Sequence, residues 1–517
     1  MPNVGDIYAV YNGRLKAYVA FQLTQQSTEG TWAVLALDWM DSALPDAATI
    51  ASLRPALFSH RHKHRYLDNE HEHTWAWVGA RVPREYLHIG SREPLVTGEV
   101  RHYGSWPDGA CVYRQRRWDM LDTAIVRSFK DAVGARPHDA TIILQVDDVV
   151  VTRGQYQLDS KAMNLAPALE VFNTLPLLGS LKLSEPVSGL IPWLRTRPLI
   201  SHVILSYQQR PALDLRGTHL TFLSIDVTGM RELYLNDGLD TLVLRGKAHS
   251  GLVIHAEDGG RWLTLECQDS TIAWSGLPDV TAMNLHDANT VDAAYIADRF
   301  PRLERLSISG APCTLEHPER LGDLSRLTRL QLSAVFPSNA LAFPLPSRWP
   351  HLSTLWLRSI PAALAAFVKK AYKAEAADGL DLVVRQPRKP EWLAANLDNP
   401  FRDWEGSECI TSSQARKAAA LYRKARADAL KRVESLADQP HALAEALQSI
   451  GHAYIEGFNA MYRRSSFIDT AEREQICEAW SGIVDAVEGK RRAVLGDHTT
   501  PMEQIPILEA IGDMRKF

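Results

Sequence analysis

The sequence lacks the features that mark several classes of protein. It has no run of about eighteen apolar residues that could span a bilayer, and its opening residues, MPNVGDIYAV, lack the basic stretch and apolar core of a secretion signal. Lys and Arg total 57 against 61 Asp and Glu, and a net charge of −4 gives no general electrostatic reason to bind nucleic acid or an anionic membrane. We therefore expect a cytoplasmic protein that binds neither.

Paired cysteines and nucleotide-binding loops are also missing. The chain has five cysteines, an odd number, and none forms a CxxC pair that would indicate zinc or redox chemistry. The GxxxxGK[ST] phosphate loop and the GxSxG nucleophile motif are absent. We expect a reducing compartment, no cofactor and no catalytic residues.

Histidine, in contrast, is concentrated in residues 60–73, together with Asp68, Glu70 and Glu72. Histidine and carboxylate are common zinc ligands, and on a strand His71 and His73 would share a face. The helical HExxH arrangement is absent, and the intervening Arg, Lys, Asp and Asn residues are typical of loops. We predict a solvated loop without metal; the alternative is a metal held by this segment.

Residues 1–125 are predicted to form an antiparallel β-domain, either a sheet or a small barrel. The segment RLKAYVAFQL alternates apolar and polar residues, as expected of a strand with one buried face, and Asn12-Gly13 before it favours a hairpin. TWAVLALDW and TWAWVG supply further strands. With VGDIYAVYNGRLKAYVAFQL, these segments resemble a small β-domain of bacterial polymorphic-toxin immunity proteins. The resemblance implies a protein that neutralises a toxin by binding it.

Residues 126–395 contain a repeat. The frame L-x-x-L-x-L occurs in LGSLKL, ISHVIL, LTFLSI, MRELYL, LDTLVL, VTAMNL, LERLSI, LTRLQL and LSTLWL. Each frame predicts a short strand whose Leu-type residues point inward, so that stacked copies bury one continuous core. This pattern resembles the leucine-rich-repeat family and implies an irregular solenoid after a short lead-in. The family's usual Asn ladder is missing, because Ala288, Ala311 and Val335 occupy its position.

Spacing within the repeats adds a further prediction. Between about 213 and 283, pairs such as LSI, LYL and LVL recur roughly every ten residues, half of the shortest leucine-rich repeat. Each coil there should carry a strand on both sides. From 303 onward the spacing lengthens, and SIPAALAAFVKKAYKAEAADG has the pattern of a helix.

Residues 396–517 are predicted to form an α-helical bundle. Apolar residues recur at helical spacing in three segments, and Asp469 with Glu472 forms a variant of the capping box at the start of the third. The opening NPFRDWEGSE and the later FIDTAERE resemble the C-terminal region of gliding-motility-like bacterial proteins, a resemblance that implies no mechanism. The fold class is therefore α+β and multidomain.

An enzymatic alternative comes from secreted ubiquitin ligases, which join leucine-rich repeats to a helical domain with a cysteine nucleophile. Their cysteine lies in a Cys-x-Asp motif, whereas Cys409 is followed by Ile-Thr and Cys477 by Glu-Ala. Cys477 also lies on the apolar side of its predicted helix, where a thiol usually serves packing. We therefore predict a protein that is not an enzyme.

Function in a repeat protein is expected at exposed positions of the frame, where the core cannot explain apolar residues. Aromatic and Arg residues dominate protein-binding hot spots. The predicted protein-binding residues are Phe222, Tyr234, Trp262, Trp356, Arg231, Glu232, Asp226, Arg305 and Arg329. The alternative is that flanking segments fold over the repeats and bury these rings.

Together these patterns predict a non-enzymatic protein-binding protein, in first place an immunity protein whose partner is a cognate toxin domain. A cytoplasmic scaffold or regulatory leucine-rich-repeat protein is the first alternative, and a ligase-like effector is the second.

Overall fold

A computed structural model divides the chain into two compact units, Met1–Pro387 and Arg388–Phe517. The three predicted domain boundaries stay a prediction. The residues whose structure is described are 2–59, 72–73, 75–83, 85–135, 142–146, 149–161, 169–207, 211–268, 274–405, 407, 409–496 and 507–508.

The first unit begins with an antiparallel sheet in the strand order β6-β3-β2-β1-β7. The elements of this region are β1 Asp6–Asn12, β2 Ala17–Gln26, β3 Trp32–Asp41, α1 Ala47–Ser52, β4 Leu57–Phe58, β5 Glu72–His73, β6 Trp75–Val78 and β7 Leu87–Ser91. Strands β1 and β2 form the predicted hairpin, and the Asn12 side chain accepts hydrogen bonds from the backbone N of Arg14 and Leu15. In the described residues the sheet is open and does not close into a barrel.

Both faces of this sheet are buried, which corrects the expectation of one buried face. Phe21 and Leu23 pack on one side, while Ile7 and Ala20 belong to a second apolar cluster on the other. Even Gln22 is fully buried, and its amide bonds to the backbone of residues 92–95. The alternation of apolar and polar residues did not indicate a second buried face, because that face is covered by α1 and by the segment after β7.

Two helices follow, α2 Ala110–Asp119 and α3 Thr123–Ala135. Trp118 and Phe129 pack with Leu177 and Leu199 of the repeats. Helix was not predicted here, because these residues were interpreted as β-rich or as lead-in. A small hairpin, β8 Ile142–Val146 with β9 Val149–Thr152, completes the lead-in.

The repeats form two parallel sheets around one core. The strands are β10 Gln157–Asp159, β11 Ser180–Leu183, β12 His202–Leu205, β13 Ala212–Asp214, β14 Phe222–Asp226, β15 Glu232–Tyr234, β16 Thr241–Arg245, β17 Val253–His255, β18 Thr264–Cys267, β19 Ser275–Gly276, β20 Ala282–Asp292, β21 Arg305–Glu316, β22 Arg329–Pro337, β23 Thr354–Arg358 and β24 Asp381–Arg385. The large sheet has the order β10-β11-β12-β14-β16-β18-β20-β21-β22-β23-β24, and the small sheet has the order β13-β15-β17-β19. Between 212 and 276 successive strands alternate between the sheets, which confirms the prediction drawn from the ten-residue spacing.

The core is continuous along the solenoid, from Val151 to Leu380. Leu233, Leu242, Leu263 and Leu306 all belong to it, with exposures of 0–3%. In each strand the Leu-type residues of the frame point inward and pair in register with those of the next strand, as Leu242 does with Leu223 and Leu265. The prediction of one shared interior is confirmed.

The missing Asn ladder is replaced by longer strands. In β20, β21 and β22 the parallel pairing resumes after an irregularity, as at Ala288 with Gly310 and Cys313 with Val335. Because backbone groups pair with the next coil past the bend, Asn side chains are not needed to satisfy them. Ala288 and Val335 can therefore pack as apolar residues, and both are buried.

Helices close the remaining coils and form the second unit. In the first unit these are α4 Leu190–Arg195, α5 Ala293–Arg299, α6 Ala362–Ala371 and α7 Lys373–Ala377, the last two as predicted. The second unit contains α8 Pro390–Asn396, α9 Ser412–Leu436, α10 Pro440–Tyr462 and α11 Thr470–Leu495. Its core is a separate cluster that includes Val433, Leu447, Phe458 and Trp480. At the start of α11 the Glu472 carboxylate accepts the backbone N–H of Asp469 at 3.0 Å, as the predicted capping box requires.

Candidate functional site

Register in the large sheet places corresponding frame positions side by side on its outward face. Residues in these rows alternate with buried Leu-type residues, so their side chains point away from the core. One row contains Ser180, His202, Phe222, Thr241, Thr264, Ala282, Arg305, Arg329, Thr354 and Asp381, in strand order. The next contains Lys182, Ile204, Ser224, Val243, Glu266, Asn284, Ser307, Gln331, Trp356 and Val383.

The C-terminal end of this face carries an exposed tryptophan among arginines. The Trp356 side chain is 44% exposed, and its ring N–H donates to Asp381 Oδ2 at 2.8 Å. Exposed arginines lie on the same strand, on both adjacent strands and on β21, one strand further away. We call this set the Trp356 patch: Trp356, Arg305, Arg329, Arg358 and Arg385.

The Trp356 patch is electrostatically positive. Arg305 and Arg329 are direct neighbours in the register of β21 and β22. Partial desolvation by neighbouring groups, and then the charge of Arg305, lower the pKa of the Arg329 guanidinium, an effect that Asp381 and Glu85 partly offset. Because like charges held together raise each other's energy, an incoming carboxylate would relieve the repulsion.

Phe222 lies at a distance from the Trp356 patch. Its ring stacks on His202 of the neighbouring strand, with centroids 3.9 Å apart and planes 4° from parallel. Burial lowers the pKa of His202, which favours the neutral ring at neutral pH. Four strand steps separate β14 from β21, roughly 19 Å at about 4.8 Å per step. Asp226, at the end of β14, accepts a hydrogen bond from the backbone N of Thr228 and so stabilises a turn.

Three of the predicted residues lie on the other side of the solenoid. Arg231 immediately precedes β15, and Glu232 and Tyr234 lie within it, in the small sheet. The Tyr234 ring stacks on His255 at 4.4 Å, and the Arg216 guanidinium lies 4.6 Å from the ring centroid. These three residues therefore do not share a surface with Phe222, because residues ten apart in this region belong to opposite sheets.

Trp262 packs within the unit. Its ring approaches the hairpin turn so closely that a Cβ at Gly13 would lie 2.5 Å from the ring's outer edge. Beside it, the Arg14 guanidinium forms ion pairs with Asp240 at 2.6 Å and Glu257 at 3.0 Å. Trp262 is half-buried, so the alternative that a flanking segment covers the ring applies to it in part.

The same edge of the solenoid receives other N-terminal contacts. Arg117 donates to the carbonyl of Gly238 at 3.1 Å, and Arg81 donates to the carbonyl of Asp378. Gly238 and Asp378 lie shortly before β16 and β24. The N-terminal region thus lies along the edge at which strands of the large sheet begin.

Replacing Trp262 by alanine is expected to lower the free energy of unfolding by about 1–2 kcal/mol, because the contact with the hairpin turn is lost. Chemical denaturation measures the change, and Trp356→Ala provides a matched control with an expected change within about 0.5 kcal/mol. Unchanged stability in the Trp262 variant would return this ring to the candidates for partner binding.

Residues of the Trp356 patch that the sequence did not indicate are Arg358 and Arg385. Arg385 lies on β24, whose frame LDLVV begins 28 residues after the start of LSTLWL at Leu352. Extending the search for Leu-x-Leu-type pairs past the α6 and α7 helices would have found it.

The described part of the chain contains neither a candidate metal site nor a helix that could span a membrane. There, no group of three or more His, Cys, Asp or Glu residues is placed to hold a metal ion. The histidine segment lies almost wholly outside the described residues. Within the described helices, none is both long and apolar enough to cross a membrane.

Comparisons with known proteins find similarity in structure but not in sequence. No family model matches this chain, and the search of curated proteins found no match to its sequence. By structure, the chain is similar to internalin C2 from Listeria monocytogenes, with 19% sequence identity over 46% of this chain and 85% of that chain, at a TM-score of 0.18. A TM-score this low does not establish a common fold, so the repeat architecture rests on the strand register of this chain.

Proposed function

We propose that this chain is a non-enzymatic protein that binds a protein partner through the outward face of the large sheet, with the Trp356 patch as the main contact. The observation that carries the proposal is the 44% exposure of the Trp356 ring on a sheet face that also presents four exposed arginines. Trp and Arg are the residue types most enriched in binding hot spots.

The rigidity of the sheet supports this role. Trp356 is fixed by its bond to Asp381, and its strand pairs in register on both sides. A side chain that is already ordered loses less conformational entropy when a partner covers it. The four arginines can pair with carboxylates of an acidic partner, which favours fast and oriented association.

We further propose that the partner is a bacterial toxin domain, which the chain neutralises by binding. This part rests on the resemblance of the N-terminal strands to immunity proteins. The scaffold alternative uses the same surface for a different partner. The immunity proposal, unlike the scaffold alternative, requires that a toxin is encoded beside this protein and that the protein protects cells from it.

A survival assay tests the immunity proposal. Cells that express the toxin encoded by the adjacent gene should survive with the wild-type protein and die with the double variant Trp356→Ala/Arg329→Ala, because its main contact is lost. Tyr103→Ala, which removes an aromatic side chain that is 84% exposed in the N-terminal region, is the matched control and should protect.

Immunoblotting must show that all variants accumulate equally. Full protection by the double variant would show that the toxin contacts a surface other than the Trp356 patch. Death of cells carrying the wild-type protein would leave the scaffold as the better interpretation.

A further inference from the structure

A cleft lies between helix α2 and the edge of the solenoid, about 180 Å³ in volume. Its walls come from α2 on one side and from the segments before β12, β14 and β16 on the other. A cavity of about 150 Å³ is large enough to hold benzene. The cleft can therefore accept a molecule with one ring, or an aliphatic group of similar size.

Part of the cleft lining is apolar. Trp118 of α2 and Leu199 of the solenoid edge line it, each with 6% exposure, together with Leu121 and Pro198. These side chains are held in place by the small cluster that joins α2 and α3 to the repeats. A ligand would gain free energy by burying apolar surface against a wall that already exists.

The lining of the cleft also carries charge. Arg114 and Arg117 are three residues apart on α2, which places them on one helical face, and both line the cleft. Arg117 is oriented by its bond to the Gly238 carbonyl. The Arg114 guanidinium lies 3.5 Å from an oxygen of Asp240. This ion pair is long, so the guanidinium could also contact a bound anion. Two guanidiniums against one carboxylate leave the cleft with a positive excess.

His219 adds a polar group to the lining of the cleft without adding charge. It is half-buried and lines the cleft from the segment before β14, on the solenoid side. Burial, and then the charge of Arg117, lower the pKa of the imidazole. At neutral pH a neutral ring can donate or accept one hydrogen bond, so it can orient a ligand without contributing to the attraction of its charge.

We propose that this cleft binds a small organic anion, a carboxylate or phosphate attached to an apolar group of about one ring. Arg114 and Arg117 hold the anionic group, and Trp118 and Leu199 contact the apolar part. Since the ligand touches both α2 and the solenoid edge, its binding stabilises the docking of the N-terminal region on the repeats. The site does not include the Trp356 patch and does not depend on the proposed partner.

The test uses the full chain and four probes: benzoate, phenyl phosphate, neutral benzamide and inorganic phosphate. Calorimetry should give saturable one-to-one binding of benzoate or phenyl phosphate, and whichever binds identifies the preferred anion. Benzamide and inorganic phosphate should each bind at least about tenfold more weakly, because each lacks one half of the recognised chemistry.

Arg114→Gln should weaken binding of the preferred anion at least about tenfold, since a charge-assisted contact is lost. Arg116→Gln removes an exposed arginine of the same helix that does not line the cleft and should bind as the wild type does. Circular dichroism checks that both variants fold. Absence of saturable binding, equal affinity for benzamide, equal affinity for inorganic phosphate, or unchanged affinity in Arg114→Gln would each overturn the proposal.

Discussion

Replacing Leu242 by alanine is expected to lower the free energy of unfolding by about 2–5 kcal/mol. Leu242 is fully buried at the centre of the large sheet, and its register neighbours Leu223 and Leu265 are buried as well. The loss combines the transfer of the removed methyl and methylene groups with the cavity that rigid neighbours cannot fill. Denaturation in urea, followed by circular dichroism, measures it.

The matched control for this variant is Leu341→Ala. Leu341 is 73% exposed, so the same chemical change should alter stability by no more than about 0.5 kcal/mol. A loss below about 1 kcal/mol for Leu242→Ala would mean that the interior of the solenoid is not packed as described.

Replacing Trp480 by alanine is expected to destabilise the helical unit by about 3–5 kcal/mol. The ring is fully buried in α11 and stacks on Tyr454 with centroids 5.7 Å apart. Because the core of this unit is separate from that of the solenoid, the loss should appear in the helical part of the unfolding transition. Thermal unfolding followed by circular dichroism at 222 nm measures it, because helices dominate the signal at this wavelength.

Trp480→Phe is the companion variant. In the described residues the indole N–H of Trp480 has no hydrogen-bond partner, so replacing it by phenylalanine breaks no hydrogen bond. The phenylalanine variant should therefore retain most of the stability that alanine loses. Equal losses for the two variants would contradict this expectation, because they would mean that the phenylalanine ring does not replace the packing of the indole ring.

The repeat architecture could be predicted because its signal is local and repeated. Each frame places Leu-type residues at fixed positions, and the ten-residue spacing near 213–283 indicated strands on both sides of a coil, as the structure confirms. The helices of the second unit were likewise indicated by apolar residues at helical spacing, although the capping box of α9, formed by Thr411 and Gln414, was overlooked.

The candidate site was harder to predict, because it depends on which sheet each strand joins. Glu232 and Phe222 occupy equivalent frame positions in sequence but lie on opposite sheets. Trp262 looked exposed because its partner, the turn at Gly13, is about 250 residues distant in sequence. Periodicity predicts which side chains point away from the core, but tertiary contacts determine which of them are exposed.

The proposed surface is tested most directly by calorimetric titration of two single variants with a purified partner. This partner is the toxin domain if the adjacent gene encodes one. Trp356→Ala should weaken binding by about 2 kcal/mol or more, roughly thirtyfold, while Tyr234→Ala on the small sheet should change it by less than about 0.5 kcal/mol. Thermal stability of the Trp356 variant should stay close to that of the wild type. Loss of binding in the Tyr234 variant with unchanged binding in the Trp356 variant would contradict the account and place the partner on the opposite face of the solenoid.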